Sequence, residues 1–158
     1  MSERTVDGIT LQEMMEQEFA QGRGLELTVT GTSMEPLLRG ARDQVILVSP
    51  KQCKPEVGDI VFFQRKSGEY VLHRVVGRNG KGVYRINGDA QTWEETIEKG
   101  QVCAVVAAMV RKGHYFSRKN LIYRLYILIW QFIRPIRGCI FRTVSKIKSW
   151  RKRKKADV

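Results

Sequence analysis

The spacing of apolar residues changes character twice along the chain. Near the N-terminus Leu11, Met14, Met15 and Phe19 recur at helical intervals ahead of Gly22 and Gly24, and Thr10 and Glu13 have capping-box spacing, which predicts a short amphipathic helix within residues 1–24. From Leu25 the rhythm becomes alternation. Leu25, Leu27 and Val29 face one way and Glu26, Thr28 and Thr30 the other, as in a half-buried strand. Further strands are predicted at residues 44–48, 59–64, 70–77, 82–86 and 102–110, punctuated by Pro55, Gly58, Asn79-Gly80 and Asn87-Gly88. Short strands joined by such turns predict a mostly β fold, an antiparallel sheet that coils on itself, over residues 25–112.

The second change follows that domain. Residues 121–133 are apolar on nearly every side, broken only by Arg124 and Gln131 and closed by Pro135. A bilayer-spanning helix needs about 20 residues, so this stretch is too short to cross. Beyond it Ile136, Ile140, Val144 and Ile147 recur at helical spacing, with Arg137, Arg142, Lys146 and Lys148 on other faces and a basic run at residues 151–155. The segment 113–158 is therefore predicted to be a basic, apolar helical tail that meets an anionic membrane surface.

Charge sharpens this division. The net charge of +12 points to nucleic acid until it is divided along the chain. Residues 1–110 hold 13 Lys/Arg against 15 Asp/Glu, a net −2, whereas residues 111–158 hold 15 Lys/Arg against one acid, a net +14. A near-neutral body thus carries a cationic segment. Because the tail interleaves its charges with long aliphatic and aromatic side chains, it suits a membrane better than DNA or RNA, and nucleic acid is not the expected partner. With 158 residues the chain has room for one domain with a real core plus an appendage. Cys53, Cys103 and Cys139 are odd in number and show no C-x-x-C spacing, so no disulfide framework, metal site or cofactor is expected. The N-terminal stretch has acids where an export signal has bases, and no apolar run, so neither a cleavable signal nor an N-terminal transmembrane helix is read there.

Three places could carry chemistry. Ser33, in Gly31-Thr32-Ser33-Met34-Glu35-Pro36, follows a predicted strand directly. A sharp turn there can present a hydroxyl and a backbone N–H toward one point, as nucleophilic serine chemistry requires, although most serines at such junctions are plain turn residues. His73, in Tyr70-Val-Leu-His-Arg-Val-Val-Gly77, shares a strand face with Val71 and Val75, where a neutral imidazole can serve as a base near pH 7. The plain alternative is a strand histidine satisfied by a carbonyl. Asp89, in Arg85-Ile-Asn-Gly-Asp-Ala90, is ordinary hairpin-turn chemistry taken alone, and the orienting acid of a Ser-His-Asp triad taken together with the other two.

In order along the chain, GTSMEPLLRG, PEVGDIVFFQ, YVLHRVVG and YRINGDA resemble the successive motifs of signal peptidase I and its relatives, a clan that includes the LexA-type self-cleaving repressors. A histidine where bacterial-type members have lysine, together with Ser-Met-Glu-Pro, is similar to the endoplasmic-reticulum and archaeal type. The resemblance spans roughly residues 25–110 and implies a serine endopeptidase with Ser33 as nucleophile, His73 as general base and Asp89 as acid. It also implies that Met34 and Pro36 belong to the binding region and that a peptide or protein substrate binds as an added strand. The chain departs from the pattern in three respects. Gly31 stands where relatives often have serine, Glu94 and Glu95 stand where a second aspartate often follows the first by about six residues, and the membrane-like element is C-terminal. Two other readings remain open: a binding protein at the membrane that keeps the peptidase fold with little or no catalysis, and a LexA-like self-cleaving regulator. The residues before the β-domain are too few for a helix-turn-helix. A polybasic end is expected to stay cytoplasmic, which leaves open the side of the membrane on which the body lies.

Overall fold

A computed structural model describes residues 8–80 and 82–138. The periodic positions Ile140, Val144 and Ile147, the basic run at 151–155 and Cys139 lie outside the described residues.

The alternation from Leu25 onward becomes strands β1 (Leu25–Thr28), β2 (Gln44–Val48), β3 (Ile60–Gln64), β4 (Tyr70–Arg78) and β5 (Val83–Asn87). They are preceded by helix α1 (Gly8–Ala20), so Thr10 lies inside the first turns of the helix rather than at its cap. Strand β6 (Glu95–Glu98) then leads through a single 3-10 turn to the long β7 (Val102–Arg111), β8 (His114–Ser117) and helix α2 (Leu121–Phe132). Every pairing is antiparallel, in the order β1-β2-β7-β3-β4-β5-β6, with β8 added to β7. Strand β7 ties the sheet together. Along one edge it pairs with β2, and along the other it pairs first with β3 and then, past Val105, with β8.

Register sorts the side chains onto two faces. Ile60 opposes Arg74 and Phe62 opposes Leu72, whereas Val61 opposes His73 and Phe63 opposes Val71. Directly opposed residues share a face and neighbours along a strand do not. One face accordingly builds a core from Ile60, Phe62, Met34, Leu37 and Leu38 with Leu11 and Met15 of α1, and the other builds one from Val61, Phe63, Val71, Val75, Ile86 and Ile97.

Residues 113–138, the described part of the segment read as a tail, are built into the body. Strand β8 completes the sheet beside β7. The side chain of Asn120 then caps α2, accepting hydrogen bonds from the backbone N–H groups of Ile122 (2.9 Å) and Tyr123 (3.2 Å). Tyr123 and Ile127, one turn apart, reach into the first core, and Arg137 beyond the helix is 1% exposed. Tyr126 packs against the same core, while Leu121, Ile122, Leu125, Leu128, Ile129 and Phe132 are exposed.

Candidate functional site

Ser33 is carried by a turn that its neighbours hold in place. Met34, Leu37 and Leu38 are buried in the core, and within the turn the Leu38 N–H donates to the Met34 carbonyl at 3.0 Å. Gly31 opens the turn at φ +75°, a conformation that favours glycine, so a serine there would strain the backbone although the space around the position is open. The Ser33 carbonyl accepts from the Ala90 N–H at 2.8 Å, which fastens the serine turn to the turn after β5. A Cβ on Gly88 would lie 2.8 Å from that same carbonyl, so only glycine lets the two turns meet so closely. Among the described residues neither the Ser33 Oγ nor its N–H takes a hydrogen-bond partner, which leaves both available to a ligand.

His73 sits in the middle of β4, 1% exposed, beside the rings of Phe63 and Trp93. Its Nδ1 lies 3.0 Å from Glu95 Oε1. A carboxylate only accepts, so Nδ1 carries the proton and Nε2 is left as the basic nitrogen. Burial lowers the His73 pKa from its ordinary 6.5, and the neighbouring Glu95 charge offsets only part of that, so the imidazole is neutral at pH 7. Glu95 is itself held by Arg65, whose Nε and Nη2 donate to its two oxygens at 2.8 and 2.7 Å. Burial pushes the Glu95 carboxyl up, but the Arg65 hydrogen bonds and charge outweigh it and keep the group ionised. Arg65 also bonds Glu69 and lies over the Trp93 ring.

Asp89 does not orient His73. Its oxygens accept from Arg74 Nε (2.8 Å) and Nη2 (2.6 Å), a two-point pair in which both side chains are 1% exposed. Arg74 follows His73 on β4 and therefore points to the opposite face. Its remaining nitrogen donates to the Gly58 carbonyl (2.7 Å) and the Tyr123 hydroxyl (3.1 Å). From the other side Arg137 donates to the Asp89 carbonyl at 3.3 Å and to the Trp130 carbonyl at 2.6 Å. The acid on His73 is the second one after the turn, Glu95. Local pattern holds a signal for it: Ile97 is the single apolar residue of β6, and Glu95, two positions earlier, shares its face while Glu94 does not. The register carries that face across the sheet, since Ile86 opposes both Val75 and Glu95, and Val75 shares its side of β4 with His73.

Ser33 and His73 line one cavity of about 400 Å³, with Thr28, Thr30, Leu72 and Trp93 among its other walls. Met34 lines it while anchored in the core. Pro36 does not: it is exposed, outside the cavity walls, and its carbonyl accepts from Arg111 at 3.2 Å. Among the described residues no strand pairs with the second edge of β1, and residues 27–30 form part of the wall. Among the described residues no group of three His, Cys, Asp or Glu side chains could hold a metal ion. Comparison with protein-family models, with curated proteins and with solved structures returned no match.

Proposed function

We propose that this chain is a serine endopeptidase of the signal peptidase type, in which Ser33 is the nucleophile, His73 the general base and Glu95 the acid that orients the base. The observation that carries the reading is the convergence of Ser33, from the turn after β1, and His73, from β4, on one cavity, with a carboxylate held on Nδ1 of that histidine. The motif order in the sequence supports it independently. A substrate in extended conformation adds to the free edge of β1 and lays its carbonyl over Ser33. His73 Nε2 takes the proton from Ser33 Oγ as it attacks, and the Ser33 N–H holds the oxyanion. His73 then protonates the departing amine, a water hydrolyses the acyl-enzyme with His73 as base again, and Glu95 stabilises each imidazolium. Gly31 offers no hydroxyl to the oxyanion, so that stabilisation falls to backbone N–H groups.

Ser33 Oγ makes no hydrogen bond to His73, and Arg65 claims both oxygens of Glu95. These two observations favour a second reading, a peptide-binding protein without turnover. Incubating the full chain with a proteome-derived peptide library and sequencing the new termini by mass spectrometry separates the two. The peptidase reading expects cleavage that Ser33→Ala and His73→Ala each abolish while peptide binding persists. Equal cleavage by the wild type and Ser33→Ala overturns it, and binding without any new termini establishes the second reading.

A further inference from the structure

Helix α2 is apolar on the side that faces away from the protein. Leu121, Ile122, Leu125, Leu128, Ile129 and Phe132 are between 54% and 85% exposed. At 3.6 residues per turn they fall within an arc of about 120°. Isolated exposed leucines need no explanation, but contiguous large apolar side chains along a whole helix mark a surface that meets something other than water. The helix is not waiting to turn inward, because its other side is already used. Tyr123 and Ile127 fill the core, the Tyr123 hydroxyl accepts from Arg74, and Arg137 spans from the Trp130 carbonyl to the Asp89 carbonyl.

We propose that the outer face of α2 lies flat in the hydrocarbon boundary of an anionic bilayer, and that its buried side holds the β-sheet body against the membrane in one fixed orientation. Length sets the geometry. Twelve residues rise about 18 Å against a hydrocarbon core of about 30 Å, and among the described residues no helix is long and apolar enough to cross. Charge complementarity selects the occupant. Lys119 and Arg124 are exposed just before and on the helix, residues 111–138 contain no acid, and a further basic run follows at 151–155. Within this segment every charged side chain beside the apolar face is a cation, which suits anionic headgroups over acyl chains, whereas two copies of it would bring like charges together. The inference does not rest on the peptidase reading, since its readout is lipid binding and it applies equally to Ser33→Ala.

The test uses the full chain in flotation with phosphatidylcholine vesicles and with vesicles containing phosphatidylglycerol. The wild type is expected to float with the anionic vesicles. Raising salt from about 0.1 M to about 1 M shortens the Debye length from about 10 Å to about 3 Å and should weaken binding without removing it. Leu125→Ser combined with Phe132→Ser should weaken binding at least tenfold with an unchanged melting transition. Ile122→Ser combined with Ile129→Ser samples the same face should the first pair disturb the fold. Three results overturn the proposal: flotation of both double variants at wild-type strength, which assigns binding to the basic segment alone; wild type wholly in the soluble fraction; or a dimer in light scattering that the variants split, which assigns the face to a second copy.

Discussion

His73 and Arg74 are neighbours on β4, point to opposite faces of the sheet, and each meets a carboxylate. The Arg74–Asp89 pair is sealed. Both side chains are 1% exposed, the contact is made at two points, and the guanidinium's remaining nitrogen is used by Gly58 and Tyr123. The His73–Glu95 pair is shared: Glu95 is 19% exposed and also serves Arg65, which reaches the cavity that holds Ser33. A charge withdrawn from water and fully partnered acts as a structural fixture, because removing either member strands the other. A titratable ring at a cavity wall, neutral because of burial and leaning on a carboxylate that has a second partner, can gain and lose a proton without dismantling the fold. The turn sequence Asn-Gly-Asp supplies the fixture, and the strand after it supplies the adjustable acid.

The sharpest way to break this contrast is to remove Asp89. Asp89→Ala leaves Arg74 buried without its counter-charge and should cost about 3–5 kcal/mol in urea unfolding, whereas Arg74→Met with Asp89→Leu should recover most of that loss. An Asp89→Ala chain of wild-type stability with no peptidase activity would move Asp89 back into the catalytic group. Glu95→Gln is the converse. It should change stability by only about 1 kcal/mol and lower kcat/KM by a factor on the order of 10² to 10⁴, the range found when a base loses its orienting acid. A stable Glu95→Gln enzyme with full kcat/KM would leave His73 without need of its carboxylate.

The smallest effect concerns pH. The proposed mechanism needs a neutral base, so kcat/KM should rise with pH through the His73 pKa, and burial places that limb below the ordinary 6.5. The Arg65 charge contributes to the lowering, so Arg65→Gln should move the limb upward toward 6.5. A downward shift would mean that Arg65 acts chiefly by fixing Glu95. The same depression bears on stability. A histidine whose folded pKa is lowered binds fewer protons folded than unfolded, so its contribution is present above 6.5 and is lost as the pH falls from there toward the folded value.

The strands around the cavity were legible because each carries enough alternating apolar residues to bury one face. Thus β2, β3, β4, β5 and β7 fall within a residue or so of their predicted bounds. Strand β6 has one buried residue, Ile97, and His114–Ser117 has none, so neither has a periodic signal of its own, and both exist because a neighbouring strand offers an open edge. The sequence alone determined the candidates for chemistry, since a serine at a strand end and a histidine sharing a face with Val71 and Val75 are properties of local pattern. Which carboxylate meets that histidine was decided by the tertiary structure, because register across β5 carries Glu95, not Asp89, to its face, and register is a property of three strands at once. The fate of α2 was decided there too. An apolar run with arginines on either side reads as a tail, and only the body it packs against selects Tyr123, Ile127 and Arg137 for burial and leaves the remaining face outward.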